Sequence, residues 1–176
     1  MKKAAIVSLV SFMLWSCGNN PGRNAVDQNA IQQQEDGTIS LKIEEAACYF
    51  DNVNPSFNTA EWNVVVTKPG RYKVWLSSAT SDTLNLDYSS SVKIVFLDSQ
   101  IEANPECDEI VLNSQDIPYP FYRADSYMGT FSILEPGRYS IQAISDKIIP
   151  SGYGNKTASL EAETRIVSLY LKPFTR

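Results

Sequence analysis

From Thr38 onward the chain alternates apolar and polar residues with a period of two. Ile39, Leu41 and Ile43 interleave with Ser40, Lys42 and Glu44. Trp62, Val64 and Val66 share one face of the next run, and Tyr72, Val74 and Leu76 one face of the run after it. Val92, Ile94 and Phe96 follow, then a short Ile110/Leu112 run. Phe131 and Ile133, then Tyr139, Ile141 and Ala143, make another pair, and Val167, Leu169 and Leu171 close the series. Side chains on a strand point to alternate faces, so this spacing predicts half-buried antiparallel strands. No long stretch repeats at helical period. About eight strands separated by turn residues predict an all-β fold, an antiparallel β-sandwich of jelly-roll type.

One tetrapeptide recurs. Pro69-Gly70-Arg71-Tyr72 returns as Pro136-Gly137-Arg138-Tyr139, each copy between two alternating runs. Proline presets φ at the first central position of a turn and glycine accepts positive φ at the second. Two type II hairpin turns are therefore expected, each followed by a tyrosine pointing to the core.

The residues before Thr38 behave differently. Met1-Lys2-Lys3 is a short positive start, and Ala4 to Leu14 is apolar. That run is far short of the roughly 20 residues that span a bilayer, and its length is that of a secretory signal. Leu14-Trp15-Ser16-Cys17 then resembles the lipobox of bacterial lipoproteins. The resemblance implies a diacylglycerol on the Cys17 thiol, cleavage before it and acylation of the new amino terminus. Residues 1–16 would be the signal peptide, 17–37 the lipidated cysteine with a flexible tether, and 38–176 the β domain. The competing reading is a plain secretory signal with Cys17 incidental. Residues 18 to 37 are rich in Asn, Gln, Gly and Pro, a composition too poor in large apolar residues to order itself. No acidic residue occurs from Gly18 to Arg23. Surface lipoproteins of gut-type Gram-negative bacteria often carry such residues there, so the expectation is an outer-membrane protein facing the periplasm rather than the cell surface.

Charge narrows the partners. The net charge is −5, and loss of Lys2 and Lys3 with the leader takes it to −7. Phosphate backbones need a basic surface, so no nucleic-acid partner is expected. Anionic lipid heads are disfavoured too, leaving the acyl chains on Cys17 as the membrane contact. The chain has no histidine, which excludes triads, proton shuttles and metal sites built on imidazole. Cys48 and Cys107 form either a disulfide closing a loop of about 60 residues or two buried thiols.

The domain pattern resembles the galactose-binding-like jelly rolls, in particular carbohydrate-binding modules of families 6 and 35. The matching pieces are Ile43-Glu44-Glu45-Ala46, Trp62 to Val66, and Pro69-Gly70-Arg71-Tyr72-Lys73-Val74-Trp75-Leu76. Val92 to Leu97, Gly129 to Ile141 and Ile166 to Leu171 continue the match through most of residues 39–173. The resemblance implies noncatalytic glycan binding, with the ligand at the loop end of the sandwich. It also implies a structural Ca²⁺ between an opening Glu pair and a closing Asp. Here Glu44 matches the first Glu, but the second falls on Ala46 and the Asp on Val167. Hard cations need several oxygen ligands, so the expectation is no metal and no cofactor. Glu44 and Glu45 are the residual candidates, Glu45 reading better as a bulge.

Sugars require aromatic faces for stacking and polar side chains for hydroxyls. Two segments read as loops supply both. Tyr49 to Asn54 offers Tyr49 and Asn52, and Tyr119 to Tyr127 offers Tyr119, Phe121, Tyr122, Arg123, Asp125 and Tyr127. The bland reading is that such aromatics cap the core. Trp75 joins the candidates because it shares a strand face with Arg71 and Lys73. Acidic clusters at Glu106, Asp108 and Glu109, and at Glu161 and Glu163, admit a glycoside hydrolase, but residues adjacent in sequence do not make a pair across a cleft. The expectation is therefore a lipid-anchored glycan-binding module that is not an enzyme. The alternative is a structural module binding another envelope protein.

Overall fold

The computed structural model describes residues 30–149 and 164–174. Cys17, the leader and most of the expected tether lie outside the described residues, as do Glu161 and Glu163. The described chain is all-β, with two sheets packed face to face as a sandwich of jelly-roll type. In chain order the strands are β1 Ile31–Gln32, β2 Ile39–Lys42, β3 Ala47–Tyr49, β4 Thr59–Val66, β5 Gly70–Thr80 and β6 Val92–Phe96. β7 Ser99–Ala103, β8 Glu109–Val111, β9 Tyr122–Ile133, β10 Gly137–Ile144 and β11 Arg165–Pro173 follow. One sheet runs β1-β4-β10-β6-β7, with β3 also on β4; the other runs β2-β11-β5-β9-β8. β1 is parallel to β4, and the other pairings are antiparallel.

The alternation seen in sequence is the core. Ile39, Leu41, Val64, Val74, Leu76, Ile94, Ile141, Leu169 and Leu171 are fully buried between the sheets. Burying each such side chain contributes roughly 1.5–3 kcal/mol as an upper estimate. Trp62 is also interior, and its indole N–H donates to the Lys42 carbonyl at 2.7 Å. That bond lets a large aromatic be buried without orphaning its one polar atom.

The repeated Pro-Gly-Arg-Tyr segments are not hairpins. β4 pairs with β10 and β5 with β9, so each segment carries the chain from one sheet to the other. Neither Gly70 nor Gly137 has positive φ, so the expected type II turns do not form. The tyrosines explain the glycines. Tyr139 Oη donates to the Glu135 carbonyl at 2.7 Å, and Tyr72 Oη donates to Lys68, the same four residues back. A Cβ on Gly137 would lie 3.3 Å from Tyr139 Oη and 3.4 Å from its ring. Glycine there leaves room for the ring to fold over the corner it ties.

Residues 30–37 belong to the domain, which corrects the tether expected to run to residue 37. Gln33 is the reason. Its amide nitrogen donates to Gly37 O and Tyr72 Oη, both at 2.7 Å, and its amide oxygen accepts from Thr67 N at 3.0 Å and Lys68 N at 2.7 Å. A second correction concerns β2, which ends at Lys42. Ile43–Glu45 form a 3-10 turn, so Glu45 breaks the alternation by leaving the strand rather than by bulging it.

Candidate functional site

The outer face of the β2-β11-β5-β9-β8 sheet carries the candidate site. On β5 the residues that alternate with buried Tyr72, Val74 and Leu76 point outward, which puts Arg71, Lys73 and Trp75 on that face. Register then decides their neighbours. Tyr170 of β11 lies opposite Trp75, and Tyr127 of β9 lies opposite it on the other side. The three aromatics thus form one row across three adjacent strands. The Trp75 and Tyr127 rings are 5.5 Å apart at a 56° tilt.

Tyr127 reaches this row because β9 is bulged. Gly129 pairs with Val74, but Trp75 pairs with Tyr127, so Met128 is the extra residue. Gly129 has φ +143°, which favours glycine, and a Cβ there would also crowd the Ile101 side chain at 3.3 Å. Met128 turns into the core and Tyr127 turns out, 44% exposed. Tyr127 N–H donates to an Asp108 carboxylate oxygen at 2.7 Å, which gives that acidic residue a structural task.

Beside the row lies a cleft of about 90 Å³ lined by Lys42, Ile43, Glu44, Asp116, Ile117, Arg123, Val167, Ser168 and Tyr170. It is smaller than the roughly 300 Å³ at which drug-sized ligands begin to be enclosed. Arg123 forms one wall. Its Nη2 donates to Asp125 Oδ2 at 3.2 Å, its Nε lies 3.1 Å from Asp125 Oδ1, and its Nη1 lies 3.9 Å from Asp116. Ser77 Oγ donates to Asp125 Oδ1 at 2.5 Å.

The sequence-predicted residues divide into four groups. Trp75, Tyr127 and Arg123 stand on this face, with Arg123 at the cleft. Asp125 is on the same face but only 4% exposed and fully engaged. Phe121 is buried with Ala79 and Ile117 in a second small cluster, its ring covered by Arg165 at 4.9 Å. Neither presents a surface to a sugar. Tyr119 is 88% exposed, in the segment before β9, and Tyr122 is half-buried at the start of that strand. The segment expected as one loop is therefore mostly strand, because Tyr122–Ile133 forms a single 12-residue β9. Tyr49 and Asn52 belong to the other sheet's side, Tyr49 on β3 and Asn52 exposed in the loop after it. They do not join the row. That loop is ordered by Asp51, which accepts from Asn54 N and Val53 N, and these two N–H groups hold its carboxyl below the usual range. Val53 projects from it, 94% exposed, and Tyr49 before it and Phe57 after it in the chain are exposed too.

Tyr170 joins the row as a candidate that the sequence reading did not single out. Its place between Leu169 and Leu171 was a usable signal, since an aromatic on the polar phase of a strand points away from the core. Glu44 and Glu45 are both exposed on the 3-10 turn, with Lys42 Nζ 4.0 Å from Glu44. Among the described residues no group of three or more Cys, Asp or Glu is placed to hold a metal ion, so the donor set does not fit the Ca²⁺ that the family resemblance implies. Cys48 and Cys107 are both free thiols, not the disulfide that was one of their two expected states. Cys48 is on β3 of one sheet, and Cys107 precedes β8 of the other. Burial pushes both thiols up, and for Cys107 the charges of Asp82 and Asp108 add to it.

No protein-family model matches this chain, and no curated protein matches it in sequence. Among solved structures, an α-L-fucosidase from Vibrio sp. strain EJY3 is similar over 82% of this chain, with TM-score 0.64 and 18% identity. The chain spans only 24% of that fucosidase's length. A GH26-CBM35 β-(1,4)-mannanase from Podospora anserina is similar over 80% of this chain and 28% of its own, with TM-score 0.47 and 11% identity. At such identity the likeness to the fucosidase is one of fold: the β-sandwich built here recurs as part of a larger protein.

Proposed function

We propose that this chain is a lipid-anchored, noncatalytic glycan-binding module of the bacterial cell envelope, held at the outer membrane through Cys17 and facing the periplasm. The observation that carries the reading is the in-register row Tyr170, Trp75 and Tyr127 on a solvent-facing sheet face. Aromatics on that phase of the strands add nothing to the core between the sheets. Sugar rings stack on such faces, and the adjacent cleft offers Lys42, Arg123 and Ser168 for hydroxyl groups. The fold likeness to part of a fucosidase is compatible with an accessory role.

The test is affinity electrophoresis or a glycan array with the wild-type chain and Trp75→Ala. Retardation by at least one polysaccharide, lost in Trp75→Ala, is expected. A folded chain that no polysaccharide retards would overturn the reading. The alternative, a module that binds an envelope protein, draws on a different feature: the ordered loop after β3 with Tyr49, Val53 and Phe57 exposed. It predicts that Val53→Asp, and not Trp75→Ala, removes the partner in a pull-down.

A further inference from the structure

We propose that the aromatic row takes an anionic glycan, one bearing uronate carboxylates or sulfate esters. The inference rests on the glycan reading above and deepens it. Charge is locally reversed on this face. The chain as a whole is acidic, with net charge −5. The row is nevertheless bordered on one side by cations. Lys172 lies directly opposite Lys73 across β11 and β5, two residues along from Tyr170 and Trp75, and Arg71 follows on the same face of β5.

Among the described residues these cations have no anionic partner within 4.0 Å. Among the described residues, the ion pairs within 4.0 Å involve Lys42, Lys93 and Arg123, and none involves Arg71, Lys73 or Lys172. The three rest on rings instead. Lys172 Nζ is 5.7 Å from the Trp75 centroid and 6.0 Å from that of Tyr170. Arg71 and Lys73 lie 5.0 and 5.1 Å from the Phe174 ring. Like charges directly opposite in neighbouring strands repel, so the Lys73–Lys172 pair is costly to the free protein and relieved by an anion. A cation–π contact at a solvent-open site is weak, so Lys172 can leave its rings for a charge-assisted bond.

The spacing suits a stacked sugar. Strands are about 5 Å apart, and two residues along a strand cover roughly 7 Å. A pyranose lying on Trp75 and Tyr170 therefore carries a carboxylate or sulfate within reach of Lys73 and Lys172. A neutral glycan would have to displace Lys172 from the rings while offering it only uncharged oxygens, a weaker partner than a carboxylate or sulfate.

The experiment uses the full-length chain in mild detergent and two matched pairs of polymers. Polygalacturonate is compared with its methyl ester, and dextran sulfate with dextran. At least one charged polymer is expected to bind ten-fold or more tightly than its uncharged match, with affinity falling as salt rises. The double variant Lys73→Gln/Lys172→Gln should lose at least ten-fold for that polymer, and so should Trp75→Ala, with near-UV circular dichroism unchanged. Which pair discriminates identifies carboxylate or sulfate. If charged and uncharged matches bind equally and Trp75→Ala removes both, the glycan reading stands and this proposal falls. If the charged polymer binds as well to Trp75→Ala, the attraction is bare charge and the proposal falls. If a folded chain binds none of the four, this proposal is overturned, and the wider array decides the glycan reading separately.

Discussion

Asp125 is 4% exposed on the outer face of its sheet, with Ser77 Oγ at 2.5 Å and Arg123 on its other side. A carboxylate so placed holds Arg123 against the face, where the guanidinium walls the cleft. Asp125→Ala would strand a largely buried cation with only Asp116 at 3.9 Å. The expected loss of stability is about 2–3 kcal/mol, discounted from the fully buried case because the arginine is partly wet. A urea titration checks it, and an unchanged midpoint would mean that Arg123 needs no anchor. Leu97 makes a second prediction at this scale. It sits in the two-residue turn between β6 and β7 with φ +51°, and it is 63% exposed. A side chain in the left-handed region costs about 1–2 kcal/mol, and glycine avoids that while losing some backbone entropy. Leu97→Gly should stabilise the domain by about 0.5–1 kcal/mol, read as a rise of a few degrees in thermal midpoint.

At the scale of elements, the two Pro-Gly-Arg-Tyr crossings act as matched corners. One takes β4 to β5 and the other β9 to β10, and these four strands pair as β4 with β10 and β5 with β9. Each tyrosine ties its own corner by bonding four residues back. Gln33 then attaches the first strand to one of these corners. Gln33→Ala removes acceptors from Thr67 N and Lys68 N and a donor to Tyr72 Oη. The expected cost is about 1–2 kcal/mol, since water replaces part of what is lost at an exposed corner. Limited proteolysis should cut the variant faster between residues 30 and 37 than the parent. Equal cleavage rates would show that the parallel β1–β4 contact holds that segment without the glutamine.

For the molecule as a whole, the proposed acyl anchor and the domain are separate in their physics. Acyl chains contribute about 0.8 kcal/mol per buried CH₂, and two or more chains hold a protein stably at a bilayer. The domain folds on its own buried apolar faces. Cys17→Ser removes the thiol that a thioether requires, so fatty-acid label should be lost and the protein should leave the detergent phase. Far-UV circular dichroism of the β domain should be unchanged. Label retained by Cys17→Ser would place the acyl site elsewhere. Net charge and local charge are likewise separate, so an acidic chain can present a cationic strip. Net charge sets solubility and long-range repulsion, while the strip is set by which side chains the strand phase brings together.

Period-two alternation was sufficient to determine the β class, most of the core and the outward direction of Trp75, because side-chain phase on a strand is a local property. The leader expected before Cys17 rests on composition alone, a short apolar run followed by polar residues. Tertiary structure alone decided where the phase slips. The bulge at Met128 turns Tyr127 outward beside Trp75. The irregularity between Ile166 and Ser168 puts Val167, expected in the core, against the outer cluster of Ala79, Ile117 and Phe121. One inserted residue flips every side chain after it, and nothing local marks the insertion. Pairing partners were equally out of reach. Pro-Gly-Arg-Tyr reads as a hairpin turn, and only the competition among all the strands for neighbours makes it a crossing between sheets. The same competition separates Tyr49 and Asn52 from the row that Tyr170, Trp75 and Tyr127 complete.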